Sequence, residues 1–269
     1  MFQRIFCMTY QYLEINNESN IAIVSFNRPE RRNALNYDFL EEIEHCALSF
    51  REQAEVYAVI FRGEGAHFSA GADLTEMENY PEMPLVQKRR RWRIGERAIR
   101  AIRQIDQITF AAWNGGALGG GACLVSALDF RVGDKNCFLQ YPEIDIGLNL
   151  MWQSVPHTVN LYGQTNAKRL LIGGDKIDSQ ELLKWGAIEK VAEPDQLLQK
   201  TLELAHKYAG KSPIAAQMIK RSINQTSDAL DQAFMHMDAD QNLFTFTTND
   251  QKEAMTNYRA GKTAQFKGD

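Results

Sequence analysis

The run Gly115-Gly116-Ala117-Leu118-Gly119-Gly120-Gly121-Ala122-Cys123 sits between the apolar stretch 108–113 and an apolar helical pattern. A strand ending in such a run and turning into a helix leaves N–H groups unpaired at the positive end of the helix dipole. The chain must therefore bring a strand end, a tight turn and a helix start to one point, and that point suits an oxyanion. Phosphate-loop spacings are absent: Gly116-x-x-Gly119-Gly120-Gly121 does not fit GxGxxG, and no Lys-Ser or Lys-Thr follows. The structural alternative is a turn that needs glycine for positive φ or close packing.

Other chemistries find less support. Ser69 lies in Phe68-Ser69-Ala70-Gly71 rather than in GxSxG, which argues against a serine hydrolase. The five histidines show no HExxH or i, i+4 spacing, so no metal is expected. Cys7, Cys46, Cys123 and Cys137 form no CxxC pair, and Met1-Phe2-Gln3-Arg4 is followed by no extended apolar segment, so a reducing cytoplasm is expected, with Met8 as an alternative start. No run of about 18 apolar residues occurs, and no membrane role is expected. The net charge of −4 gives no global field to steer nucleic acid or an anionic membrane.

Residues 21–26 and 56–61 read as strands and 37–51 as a helix, a β, α, β beginning. Residues 62–73 form a turn-rich loop, a candidate site wall, leading into a polar segment up to Tyr80. Residues 85–105 read as one charged helix, 108–113 as a buried strand, and 131–133 and 137–139 as further short strands. A mostly parallel α/β layer is the expected architecture, with a boundary at 195: residues 1–195 hold the core and 196–269 are helical.

Six segments in order resemble the crotonase superfamily, the enoyl-CoA hydratase/isomerase family. They are Asn27-Arg28-Pro29-Glu30-Arg31-Arg32-Asn33-Ala34-Leu35-Asn36, His67-Phe68-Ser69-Ala70-Gly71-Ala72-Asp73-Leu74, Asn114 to Gly121, Tyr141-Pro142-Glu143-Ile144-Asp145-Ile146-Gly147, Ala167 to Asp175, and Trp185-Gly186-Ala187-Ile188. The resemblance covers residues 18–268 and includes Phe246-Thr247-Thr248-Asn249-Asp250 near the end. It implies a ββα spiral core with a helical C-terminal trimerisation region, assembled as a homotrimer or dimer of trimers. The implied partner is an acyl-CoA thioester, with coenzyme A entering as part of the substrate and no separate cofactor.

Carried over by position, the resemblance assigns the amides of Ala72 and Gly120 to an oxyanion hole for the thioester oxygen. Fixed donors act most where charge develops, each typically worth about 2.7–4 kcal/mol in the transition state. The resemblance also places Arg28, Arg32, Ala34 and Leu35, and Ala70, Asp73, Leu74 and Thr75, along the CoA arm. Arg28 and Arg32 would reach phosphate oxygens or be solvated surface charges. The acyl tail is expected against residues 80–100 and 148–152, with Trp152 as a cap.

Family hydratases carry two glutamates; here Cys123 stands at the first position and Glu143 at the second. A thiol with a reference pKa of about 8.5 is a poor proton carrier at neutral pH unless a cation lowers it. Moving a double bond from C3 to C2 needs one base, which the family's Δ3-Δ2 isomerases supply at the Glu143 position. Glu143 is thus the expected acid/base and Cys123 a buried small residue or a second site position. Asp145 would share a face with Glu143 only in an extended segment. The alternatives are an enoyl-CoA hydratase with an altered acid pair, a CoA-thioester hydrolase, and, outside enzymes, RNA or anion binding through residues 88–93, as one relative binds RNA. Glu76, Glu78, Glu82 and Glu96 flank that basic run and favour a solvated face or a subunit contact.

Overall fold

Residues 9–78 and 81–269 are described by the computed structural model. Cys7, Met8 and Tyr80 of the sequence reading lie outside them. The strands are β1 (Leu13–Glu18), β2 (Ile21–Phe26), β3 (Ala58–Gly63), β4 (Ile108–Trp113), β5 (Gly116–Leu118), β6 (Phe130–Asp134), β7 (Phe138–Gln140), β8 (Ile177–Asp178) and β9 (Lys190–Ala192).

β2 and β4 are buried along their whole length because both sheet faces are covered. Successive side chains point to opposite faces. Ala22, Val24, Phe26, Val59, Phe61, Ala111 and Trp113 enter one core with helix Tyr37–Ser49. Ile21, Ile23, Ala58, Ile60, Ile108, Phe110 and Ala112 enter the other, closed by Leu197, Ala205 and Ala209 of helix Leu197–Ala209. That helix therefore covers the sheet, while Pro213–Ser227 and later helices follow it.

The larger sheet runs β1-β2-β3-β4-β6-β9. All its pairings are parallel except β1 with β2, where Leu13 faces Phe26. β5, β7 and β8 form a second sheet. After β4 and again after β6 the chain adds a strand to this smaller sheet, and after β5 it turns into helix Gly120–Ala127. This alternation agrees with the ββα core and the mostly parallel α/β layer expected from sequence.

Two details differ from the sequence reading. β1 was not expected: Leu13-Glu14-Ile15-Asn16-Asn17-Glu18 buries fully only Leu13, so an edge strand with one face to solvent carries little apolar signal. The single helix over 85–105 is two, Leu85–Trp92 and Ile94–Arg103, broken at Arg93 with φ −83° and ψ 7°. Among the described residues no helix is long and apolar enough to cross a membrane.

Candidate active site

Two loops meet where the glycine run begins its helix. Ser69 N–H donates to the Gly116 carbonyl at 3.2 Å and Leu118 N–H to the Ser69 carbonyl at 3.0 Å. Beside this bridge, Leu35 N–H donates to the Gly71 carbonyl at 2.8 Å and Asp73 N–H to the Leu35 carbonyl at 3.0 Å. In a parallel bridge the residue between those two bonds turns its own amide the other way. That residue is Ala72, which lines the cavity. Gly120 is the first residue of its helix, so its N–H has no intrahelical acceptor. The loops are close: a Cβ on Gly71 would lie 3.1 Å from the Gly120 nitrogen.

Asn33 holds this arrangement from below. It is fully buried at φ +54°, and its carboxamide donates to the Glu64 and His67 carbonyls, both at 2.9 Å. Its Oδ1 accepts from Arg28 N–H, and its carbonyl accepts from the Ser69 hydroxyl. Sequence reading gave Asn33 no role beyond its motif; this set of partners was not visible in spacing.

A cavity of about 200 Å³ opens beside the two amides. Of the residues expected at the site, Leu35, Ala70, Ala72, Asp73, Leu74, Gly120, Cys123 and Glu143 line it. Arg28, Arg32, Ala34 and Thr75 do not. Arg28 is largely buried in an internal pair: its guanidinium donates to Asp73 at 2.7 Å and to the Ala34 carbonyl at 2.8 Å, over the Tyr12 ring. Burial pushes the Asp73 carboxyl up, but the Arg28 hydrogen bond and charge hold it below its ordinary value. Arg32 is exposed in a left-handed conformation, and its carbonyl accepts from Ala70 N–H. Thr75 N–H donates to Asp73 Oδ1.

Glu143 is the second residue of the 3-10 helix Pro142–Ile146, where Pro142 supplies a pre-set φ. The residue is half-buried, but its Oε2 is fully buried and has no hydrogen-bond partner among the described residues. Desolvation raises its pKa to about 7; its own amide opposes the rise and Asp145 adds to it. Because the segment is 3-10 helical rather than extended, Asp145 does not share the Glu143 face by alternation, and it is exposed.

Cys123 is 2% exposed, one turn into helix Gly120–Ala127. Burial first, then the Glu143 charge, pushes its thiol well above the ordinary value, against a hydrogen bond with Ser154. The thiol therefore stays protonated at neutral pH. Behind it, Ser126 Oγ contacts the Tyr141 and Tyr162 hydroxyls at 3.2 and 2.8 Å, a buried polar cluster.

The cavity's far side comes from Met151, Trp152, Asn242 and Tyr258. Asn242 and Tyr258 were missed from sequence; they belong to the C-terminal helices Asp238–Thr245 and Asn249–Arg259. Asn242 is fixed by Trp92 Nε1–H at 2.9 Å and donates to the Asn149 carbonyl at 2.6 Å.

The basic run is largely paired. Arg89 binds Asp240, Arg91 lies near Glu76 and over the Tyr37 ring, and Arg93 binds Glu96. Outside the cavity, one ligand atom each of His157, Asp228 and Asp231 falls within 4.8 Å of the others. Arg103 grips Asp228 at 2.7 and 2.9 Å, and burial first, then Arg103, pushes His157 down to about 4. That guanidinium disfavours a cation there.

The family model "Enoyl-CoA hydratase/isomerase" matches residues 16–269. The short-chain-enoyl-CoA hydratase of Clostridium acetobutylicum is 32% identical over 91% of this chain and 95% of its own length. The crotonyl-CoA hydratase of Syntrophomonas wolfei is 31% identical over 96% and 99%. The crystal structure of an enoyl-CoA hydratase from Bacillus anthracis, 28% identical, superposes with a TM-score of 0.76 over 96% of this chain and 100% of that one. With matches spanning almost the whole length in sequence and in fold, the chain belongs to the enoyl-CoA hydratase/isomerase family, the crotonase superfamily, and is an enzyme.

Proposed function

We propose that the protein isomerises the double bond of an enoyl-CoA ester, with Glu143 as its single acid/base. The observation that carries this reading is the asymmetry of the two proton-moving positions. Glu143 is a carboxyl with a buried, unpartnered oxygen and a pKa raised to about 7, while Cys123 is a buried neutral thiol. One base suffices for the reaction. The Glu143 carboxylate takes a proton from C2 of a 3-enoyl ester, and the electron pair moves to the thioester oxygen, held by the Ala72 and Gly120 amides. The dienolate collapses as the same proton returns from Glu143 to C4, leaving the 2-enoyl ester with no net gain or loss of atoms.

A second reading, hydration of a 2-enoyl ester with Glu143 alone handling water, is supported by the two relatives named hydratases. Incubation with 3-enoyl-CoA and 2-enoyl-CoA separately, with products identified by mass, separates the two. Conversion of the 3-enoyl ester at constant mass supports isomerisation; addition of water to the 2-enoyl ester at a comparable rate replaces it with the second reading. Release of free CoA would instead indicate hydrolysis.

Self-association as a homotrimer or dimer of trimers belongs to the same proposal. Ile214, Met218, Ile219 and Ile223 are exposed on helix Pro213–Ser227, with Leu230 and Phe234 beyond it. An apolar patch of that kind marks an interaction surface. Light scattering on the purified protein tests it, and a monomer would remove it.

A further inference from the structure

Trp152 and Gln153 are consecutive non-glycine residues in the left-handed region, at φ +68° and +57°. A bulky residue there is an outlier, costing about 1–3 kcal/mol, and persists only when its surroundings over-determine it. Here they do. Gln153 N–H donates to Asp238 Oδ2 at 2.5 Å, and its side-chain amide donates to Glu96 Oε1 at 2.8 Å. Glu96 is itself gripped by Arg93 and Arg100. The Ser154 hydroxyl donates to the Trp152 carbonyl.

The clamp sets the indole between two glycines from different elements. A Cβ on Gly95 would lie 2.0 Å from ring atom Cε2, and one on Gly120 would lie 2.2 Å from Cζ3. The ring thus rests on the backbone of helix Ile94–Arg103 at one end and on the residue carrying the oxyanion amide at the other. It is 8% exposed and lines the cavity that also holds Cys123 and Glu143.

We propose that Trp152 is a fixed end wall that restricts the enzyme to short-chain acyl-CoA esters. The inference rests on the reading of the cavity as an acyl-CoA site, and it is independent of which reaction occurs there. An acyl chain extending from the thioester past Glu143 and Cys123 meets the indole, whose ring lies against Gly95 at one end and Gly120 at the other. In an open tunnel every added methylene would bury apolar surface and tighten binding about fourfold. Against a wall the gain stops after the first few carbons.

The test is calorimetric binding and turnover of saturated and enoyl-CoA esters of four, eight, twelve and sixteen carbons, with the wild-type protein and with Trp152→Leu and Trp152→Phe. Wild-type affinity is expected to level off or fall from the eight-carbon ester onward. Trp152→Leu is expected to tighten binding of the twelve-carbon ester about tenfold or more, and Trp152→Phe to keep the cut-off. Wild-type affinity that keeps rising to twelve carbons overturns the wall, and this arm decides even if Trp152→Leu does not fold. Failure to bind any acyl-CoA overturns the wall together with the site reading. A length cut-off in binding without isomerisation supports the wall and removes only the proposed reaction.

Discussion

The Glu143 carboxylate occupies the space that a side chain on Gly119 would need: a Cβ there would lie 2.5 Å from Oε1. Gly119 also has φ +47° and ψ −116°, a conformation open to glycine. The missing side chain at Gly119 is therefore what leaves room for the Glu143 carboxylate. Gly119→Ala is expected to displace the carboxylate and twist the helix start, lowering kcat/KM by about two orders of magnitude or more. Circular dichroism should show the fold retained; near-wild-type turnover would dissociate Glu143 from the reaction.

Glu143→Gln should abolish proton transfer while stabilising the fold. The folded-state pKa of about 7 lies above the ordinary 4.5. The neutral carboxyl is thus favoured in the native state, and that stability is full below the unfolded value and lost as pH rises through about 7. The glutamine stays neutral, so the variant should be more stable than wild type above pH 7 by on the order of 1–3 kcal/mol. Urea unfolding at pH 5 and pH 8 measures the difference, which should be several-fold larger at the higher pH. Wild-type kcat/KM should rise with pH to a plateau just above 7, as the base ionises.

Cys123→Ala is expected to leave isomerisation within about fivefold of wild type, since the thiol carries no proton in the proposed step. Cys123 should also react slowly with thiol reagents in the native protein, being 2% exposed with its thiol pushed up by burial. Loss of activity beyond about a hundredfold, or covalent acyl capture on Cys123 seen by mass spectrometry, would assign it a chemical role.

The Arg28–Asp73 pair, with side chains 15% and 11% exposed, joins the two segments flanking Ala72. Asp73→Asn is expected to destabilise the protein by about 2 kcal/mol at pH 7. Because the Asp73 pKa is lowered in the fold, that contribution exists above its unfolded value and fades as pH falls through it. The stability gap between wild type and variant should therefore narrow in acid, as denaturant titrations at pH 7 and pH 3 would show.

Much of this arrangement was legible in the sequence where the pattern is local. β4 announces itself as an unbroken apolar run, and the glycines after it state that a helix must start there. Glu143 and Ala72 were found by resemblance, and the structure brings both to one cavity. What was not legible depends on partners far along the chain. The Arg28 ion pair is invisible until Asp73, distant in sequence, folds against it. Asn242, Tyr258 and the Asp238 clamp on Gln153 come from helices whose own periodicity says nothing about where they dock. β1 was invisible because, as an edge strand, it buries fully only Leu13 and so carries little apolar pattern.

Both donors of the proposed oxyanion hole are main-chain amides, beside the bridges from Ser69 to Ala117 and from Leu35 to Ala72. Apart from proline, no side-chain replacement deletes an amide N–H, so in the proposed mechanism the charge-stabilising half of the site stands apart from the proton-moving half. The scaffold behaves as a socket of fixed polarity into which different acids and bases can be fitted. At positions 123 and 143 this protein carries one thiol and one carboxyl, so, on the proposed reading, moving it to the two-glutamate pattern of the hydratases requires changing one side chain, Cys123, on a backbone that need not move.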